Sequence, residues 1–152
     1  MKMRHKKETI GNGAWPDRRG RARVLVENAG GAERLALNAI LAGAGYDVSV
    51  CPGPDTSRGL LCPLVEDGGC RLAQGADVVL NSLSLSRPES RDVVRCLRSQ
   101  VPDTPVIVEV PTPRATRYAD ILEGCQVEPF PMTSGRVRQA VSQVTPKNAQ
   151  WG

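Results

Sequence analysis

Aromatic residues are nearly absent from this 152-residue sequence, which has one Phe, two Tyr and two Trp. Proteins that hold single-stranded nucleic acid by stacking its bases need several aromatic faces on one surface, so that class is disfavoured. Both Trp15 and Trp151 fall in segments expected to be tails. Histidine occurs once, as His5, so the folded region can assemble no Ser-His-Asp triad and is not expected to form a Cys₂His₂ zinc site. Long apolar runs are missing too. The longest are a few residues broken by Gly, Asp or Arg, far short of the roughly 20 residues a membrane-spanning helix needs. The start, "MKMRHKKETIGNGAW", is basic with no apolar segment behind it, and the expectation is a cytoplasmic protein with no membrane partner. "NAGGAER" contains no G-x-G-x-x-G, and no glycine run leads into a P-loop lysine, so the common nucleotide fingerprints are absent.

The net charge of +4 is unevenly placed. Residues 1–23 hold eight basic side chains, among them Lys2, Arg4, Lys6 and Lys7, against Glu8 and Asp17. That is +6, which leaves the rest of the chain at −2. A segment this polar and glycine-rich has little to bury, so residues 1–22 read as a disordered basic arm. Either it is a solvated leader, or it contacts nucleic acid through phosphate neutralisation. Arg outnumbers Lys in a Gly- and Ala-rich chain, a composition associated with bacterial genomes of high GC content.

From residue 23 onward, short apolar runs alternate with helical periodicity. "RVLVE" (23–27), "YDVSVC" (46–51), "ADVVLNS" (76–82), "TPVIVEV" (104–110) and "CQVEP" (125–129) are expected strands. Between them, Leu37, Ile40, Leu41 and Ala44 recur at i, i+3, i+4, i+7, and Gly43 and Gly45 supply a stop. "RPESRDVVRCLRSQ" buries Val94, Leu97 and Val101 on one face and shows Arg91, Arg95 and Arg98 on another. "PRATRYADILEG" predicts a helix ending at Gly124, and "SGRVRQAVSQV" a last one with Val137, Ala140, Val141 and Val144 in register. Five strands alternating with helices call for a parallel sheet covered on both faces. For one domain of this length the flavodoxin-like, doubly wound α/β order 2-1-3-4-5 follows, over residues 23–145 with a tail at 146–152. Its site is expected at the C-terminal ends of strands one and three. Residues 52–75 break the pattern, because Pro52, Pro54, Pro63 and Gly69 interrupt the helix due there. They predict an irregular insertion with one short helix at most.

The five cysteines are Cys51, Cys62, Cys70, Cys96 and Cys125. An odd number with no secretory signal points to free thiols in a reducing compartment. Cys96 and Cys125 lie in regular patterns, where Cys serves as a small buried apolar residue. Cys51, Cys62 and Cys70 sit near one rim of the expected sheet. The C-x₇-C spacing is not that of a zinc site, and packing thiols, a Cys62–Cys70 bridge and a three-cysteine metal or redox site stay open.

"ADVVLNSLSLSRPESRDVVRCLRSQVPDTPVIVEV", "GYDV" before strand two and "EPF" after strand five together resemble two-component response-regulator receiver domains. The resemblance covers about residues 23–145. It implies a phosphorelay chemistry with defined parts: an acidic pair after strand one holding Mg²⁺, an acceptor aspartate ending strand three, a Thr or Ser ending strand four, and a Lys before a cis proline after strand five. Carried over by position, the acidic pair becomes Glu27 and Asn28, the acceptor Ser82 (Asn81 if the register slips by one), the hydroxyl Val110 and the lysine Glu128. Only one carboxylate of the set survives. Glu128–Pro129 is the expected place for a cis bond.

The reading is a pseudo-receiver in bacterial signal transduction or transcriptional regulation, with no enzyme activity, no aspartyl phosphorylation and no cofactor. It is expected to act on a protein partner, whether a regulator, a kinase or a second copy of itself. The face implied by the resemblance holds Arg114, Arg117, Tyr118, Arg136 and Arg138. A redox or metal sensor built on Cys51, Cys62 and Cys70, and a nucleic-acid accessory protein using residues 1–23, are the alternatives.

Overall fold

The structure, a computed structural model, describes the backbone of Glu8–Thr9 and residues 13–146. Five strands form one parallel sheet: β1 (Arg23–Glu27), β2 (Asp47–Cys51), β3 (Val78–Asn81), β4 (Val106–Val110) and β5 (Gln126–Pro129). They lie in the order β2-β1-β3-β4-β5, the doubly wound arrangement expected. Successive side chains on a strand point to opposite faces, and this splits the core in two. Val24, Val26, Val78, Leu80 and Ile107 meet Leu41 of helix α1 (Gly31–Gly43) and Val137, Ala140 and Val141 of helix α6 (Ser134–Val144). On the opposite face Leu25, Val79 and Val108 meet Val93, Val94 and Leu97 of helix α4 (Pro88–Gln100). Leu80, Leu97 and Ile107 are wholly withdrawn from water, and each such side chain stabilises the fold by about 2 kcal/mol relative to exposure.

The helix ends follow local chemistry. Gly45 takes φ +96°, which a side chain would resist, and donates to Ala42 O while Tyr46 N returns to Leu41 O. That closes α1 before Ala44 can join it, so Ala44 is exposed. Thr133 caps α6 by accepting the Arg136 amide at 3.2 Å.

The insertion is more ordered than its prolines suggest. It holds a 3₁₀ turn at Thr56–Arg58 and two short helices, α2 (Pro63–Glu66) and α3 (Arg71–Gly75), where at most one was expected. Leu64, Cys62, Cys70, Leu72 and Ala73 are buried in the α4 side of the core, and Gln100 of α4 donates to Leu64 O at 2.7 Å. Helices of four and five residues are far below the length that is stable alone, so tertiary burial holds them. The helix expected to end at Gly124 is shorter: α5 spans Thr112–Arg117 and is followed by turns. There Ile121 and Leu122 are drawn into the core, away from the helical stripe.

The disordered arm expected over residues 1–22 is also corrected where it is described. Trp15 Nε1 donates to Leu72 O at 2.9 Å, and Arg23 stacks 5.6 Å from the indole. Arg18 grips Asp77 through two bonds of 2.9 and 3.0 Å. Glu8–Thr9 pairs in parallel with Leu60–Leu61. Apolar contact at Trp15 and a two-pronged guanidinium–carboxylate pair offset the ordering entropy that polarity alone would not. Lys2, Arg4, His5, Lys6 and Lys7, and the expected tail beyond Pro146 with Trp151, lie outside the described residues. Among the described residues no helix is long and apolar enough to cross a membrane.

Candidate functional site at the strand ends

At the C-terminal edge of the sheet, parallel register places Cys51, Glu27, Asn81 and Val108 in one row across four strands. Glu27 is two residues beyond Leu25, so its side chain turns toward the α4 side. There Asn81, wholly buried, donates from Nδ2 to Glu27 Oε1 at 3.1 Å and accepts the Leu83 amide at 3.3 Å. The backbone closes the same corner: Ser82 N donates to Glu27 O at 2.8 Å and Asn28 N to Cys51 O at 3.0 Å. Glu27 is only 3% exposed. Burial pushes its carboxyl up to about 7, with the Asn81 bond opposing.

The place opposite Glu27 therefore belongs to Asn81, the last residue of β3, and the assignment to Ser82 is corrected. Ser82 lies one residue on and faces the other way. Its Oγ donates to Glu109 Oε1 at 2.9 Å, and Glu109 Oε2 accepts the Met132 amide at 2.6 Å. Glu109 was missed in the sequence, where the signal was one acid inside the apolar run "VIVEV". It stands with Asn28 at a cleft of about 240 Å³ floored by Leu37, Ile40 and Val137. Asn28 is occupied locally, its Oδ1 accepting the Gly30 amide at 2.8 Å.

The remaining expected positions do not converge on Glu27. Val110 is buried in the α4-side cluster. Glu128 is held by Arg136 of α6, with Nε at 2.9 Å from Oε2 and Nη2 against Oε1, and Gln126 Nε2 adds a bond of 3.0 Å. The Arg136 bond keeps the Glu128 carboxyl below its ordinary range. The cis peptide is Phe130–Pro131, not Glu128–Pro129. The residue before the cis proline is thus an exposed Phe.

A hard divalent cation takes several oxygen ligands, carboxylates prominent among them. The residues present do not fit Mg²⁺, because Glu27 is enclosed and bonded to an amide, Glu109 is taken by Ser82 and the Met132 amide, and Glu128 is bound by Arg136. Among the described residues no three Cys, His, Asp or Glu side chains are grouped to hold a metal, which corrects the Cys51, Cys62 and Cys70 candidate. All three side chains are buried, and Cys62 is in no disulfide, so no Cys62–Cys70 bridge is present. Burial, followed by the nearby Glu27, pushes Cys51 and Cys62 up to about 12. A thiol attacks as its thiolate. In native protein at pH 8 we expect an aromatic disulfide reagent to titrate rapidly no more than the two half-buried thiols, Cys96 and Cys125, with all five reacting in denaturant. Rapid native reaction at Cys51 or Cys62 would refute the enclosure described.

The arginine face expected from the sequence is divided. Tyr118 turns to α4, where the Arg91 guanidinium lies 5.2 Å from the ring centroid, and Arg117 lies 5.6 Å from it. Arg136 is committed to Glu128, while Arg138 is exposed on α6.

No family model matches the sequence, and no curated protein matches it. Solved structures do match. The chemotaxis protein CheY4 of Vibrio cholerae is 18% identical, with a TM-score of 0.60 over 82% of this chain and 98% of that one. A response regulator receiver domain protein from Clostridium thermocellum is 17% identical, with a TM-score of 0.61 over 82% and 94%. The receiver domain of NtrX from Brucella abortus is 13% identical, with a TM-score of 0.61 over 82% and 99%. The chain has the fold of response-regulator receiver domains.

Proposed function

We infer that this chain, folded as a receiver, is a regulatory module of signal transduction that works by protein contact without aspartyl phosphorylation and without catalysis of its own. One observation carries this reading: at the end of β3, opposite the strand-one carboxylate, stands a buried Asn81 that donates to Glu27. An amide there is no phosphoryl acceptor, and among the described residues the enclosed Glu27, the Ser82-bound Glu109, Val110 and the Arg-bound Glu128 do not make up a metal and phosphate pocket. The partner is a regulator, a kinase or a second copy. The basic segment as a nucleic-acid contact is weakened by Arg18 and Arg23, whose guanidiniums are used internally on Asp77 and on Pro16 O.

Acetyl phosphate with Mg²⁺ tests this directly. Intact-mass spectrometry is expected to find no phosphoryl adduct on the full chain. An adduct that disappears in Ser82→Ala or Asn81→Ala would overturn the reading.

A further inference from the structure

Four described arginines, Arg18, Arg87, Arg95 and Arg136, form ion pairs with carboxylates. Arg91, Arg114 and Arg117 behave differently. Among the described residues none of the three has a carboxylate within ion-pair distance, yet they are gathered on one surface. Arg91, in the first turn of α4, is braced by its bond to Leu85 O at 2.9 Å and lies over Tyr118, whose ring also carries Arg117. Arg114, one turn before Arg117 on α5, reaches Ser84 Oγ at 3.4 Å, and Ser84 Oγ is 2.8 Å from Ser86 Oγ. Two guanidiniums sharing one ring repel each other, and the ring quadrupole offsets only part of that. The third donates to a neutral hydroxyl at the limit of hydrogen-bond length.

We propose that Arg91, Arg114, Arg117 and Tyr118, with the Ser84 and Ser86 hydroxyls, form the docking surface for an acidic segment of a partner protein. One carboxylate is taken between Arg91 and Arg117, and a second by Arg114 and the serine pair. Planar guanidiniums braced by a ring and a carbonyl suit the two oxygens of a carboxylate. A nucleic acid fits less well, because Tyr118, the one ring of the patch, already carries two guanidiniums. The patch is also compact, where phosphate tracking needs an extended row. This surface rests on the reading that the chain acts by protein contact, and it supplies the chemistry of that contact.

Fluorescence anisotropy with a dye-labelled Glu/Asp-rich peptide at low salt is the test, on the full chain. R114Q/R117Q is expected to bind about tenfold more weakly than wild type, as loss of charge-assisted bonds implies. Y118L, which keeps every charge, is expected to lose several-fold by releasing the guanidiniums. R19Q/R21Q removes the same charge from exposed positions elsewhere and is expected to change binding little. No binding to wild type, an equal loss in R19Q/R21Q, or a single-stranded oligonucleotide that binds tighter and is lost in the same variants would each overturn the proposal. Phosphoryl uptake in the acetyl phosphate experiment would refute the reading of the module and leave the peptide result standing.

Discussion

In urea denaturation, Glu27→Gln is expected to lie within about 1 kcal/mol of wild type at pH 5 and to be more stable by about 3 kcal/mol at pH 8. The Glu27 carboxyl is raised from 4.5 to about 7 because burial penalises its charged form. The folded state therefore binds this proton more tightly than the unfolded chain does. Its contribution is present in full below pH 4.5, declines between the two values and is lost above about 7. The gap, at about 1.4 kcal/mol per pH unit, gives a cost of about 3 kcal/mol. Gln carries no charge, and its carbonyl can still accept from Asn81 Nδ2. A stability difference that does not change between pH 5 and pH 8 would show that Glu27 is not enclosed as described.

Restoring the carboxylate that receivers carry, with Asn81→Asp, is expected to be harmful. Asn81 is wholly buried and donates to Glu27, whereas an ionised Asp donates nothing and sets a second acid against the first. The two groups then titrate as one pair. At pH 8 the uncompensated buried charge is expected to cost about 3–5 kcal/mol, with part of the loss recovered at pH 5, where the pair retains protons. In the double variant E27Q/N81D the Gln amide can donate to the new carboxylate, so most of the loss should return. Thermal melts of the four proteins at both pH values measure this coupling, and simple additivity would sink it. Phosphoryl uptake is not expected in N81D either, since Val110 and the Arg136-bound Glu128 remain.

The sheet and its main helices were legible because they rest on short-range patterns. Runs such as Val78–Leu80 and Val106–Val108 mark strands buried on both faces, and the 3.6-residue stripes of Leu37–Leu41 and Val137–Val141 mark helices that cover one face. The candidate site was half legible. Glu27 at the end of β1 followed from the strand pattern and the topological rule, but whether Asn81 or Ser82 opposes it did not. In "VVLNS" both residues can close the strand, and a shift of one exchanges the faces completely. Pairing of β3 with β1 decides it, through Glu27 opposite Asn81.

Read alone, the sequence determined the fold class and the strand order, because apolar periodicity and turn signals act over neighbouring residues. Tertiary structure decided the rest. It enclosed Glu27 with Asn81 and turned Ser82 to Glu109. It also buried Cys51, Cys62 and Cys70 in the core beside two helices too short to stand alone, fastened Trp15 and Arg18 to the core, and left Arg91 and Arg117 on one tyrosine and Arg114 at Ser84, with no carboxylate in ion-pair distance among the described residues. Each of these depends on groups distant in sequence meeting across the core or its rim, where burial and charge are set by neighbours no local pattern names.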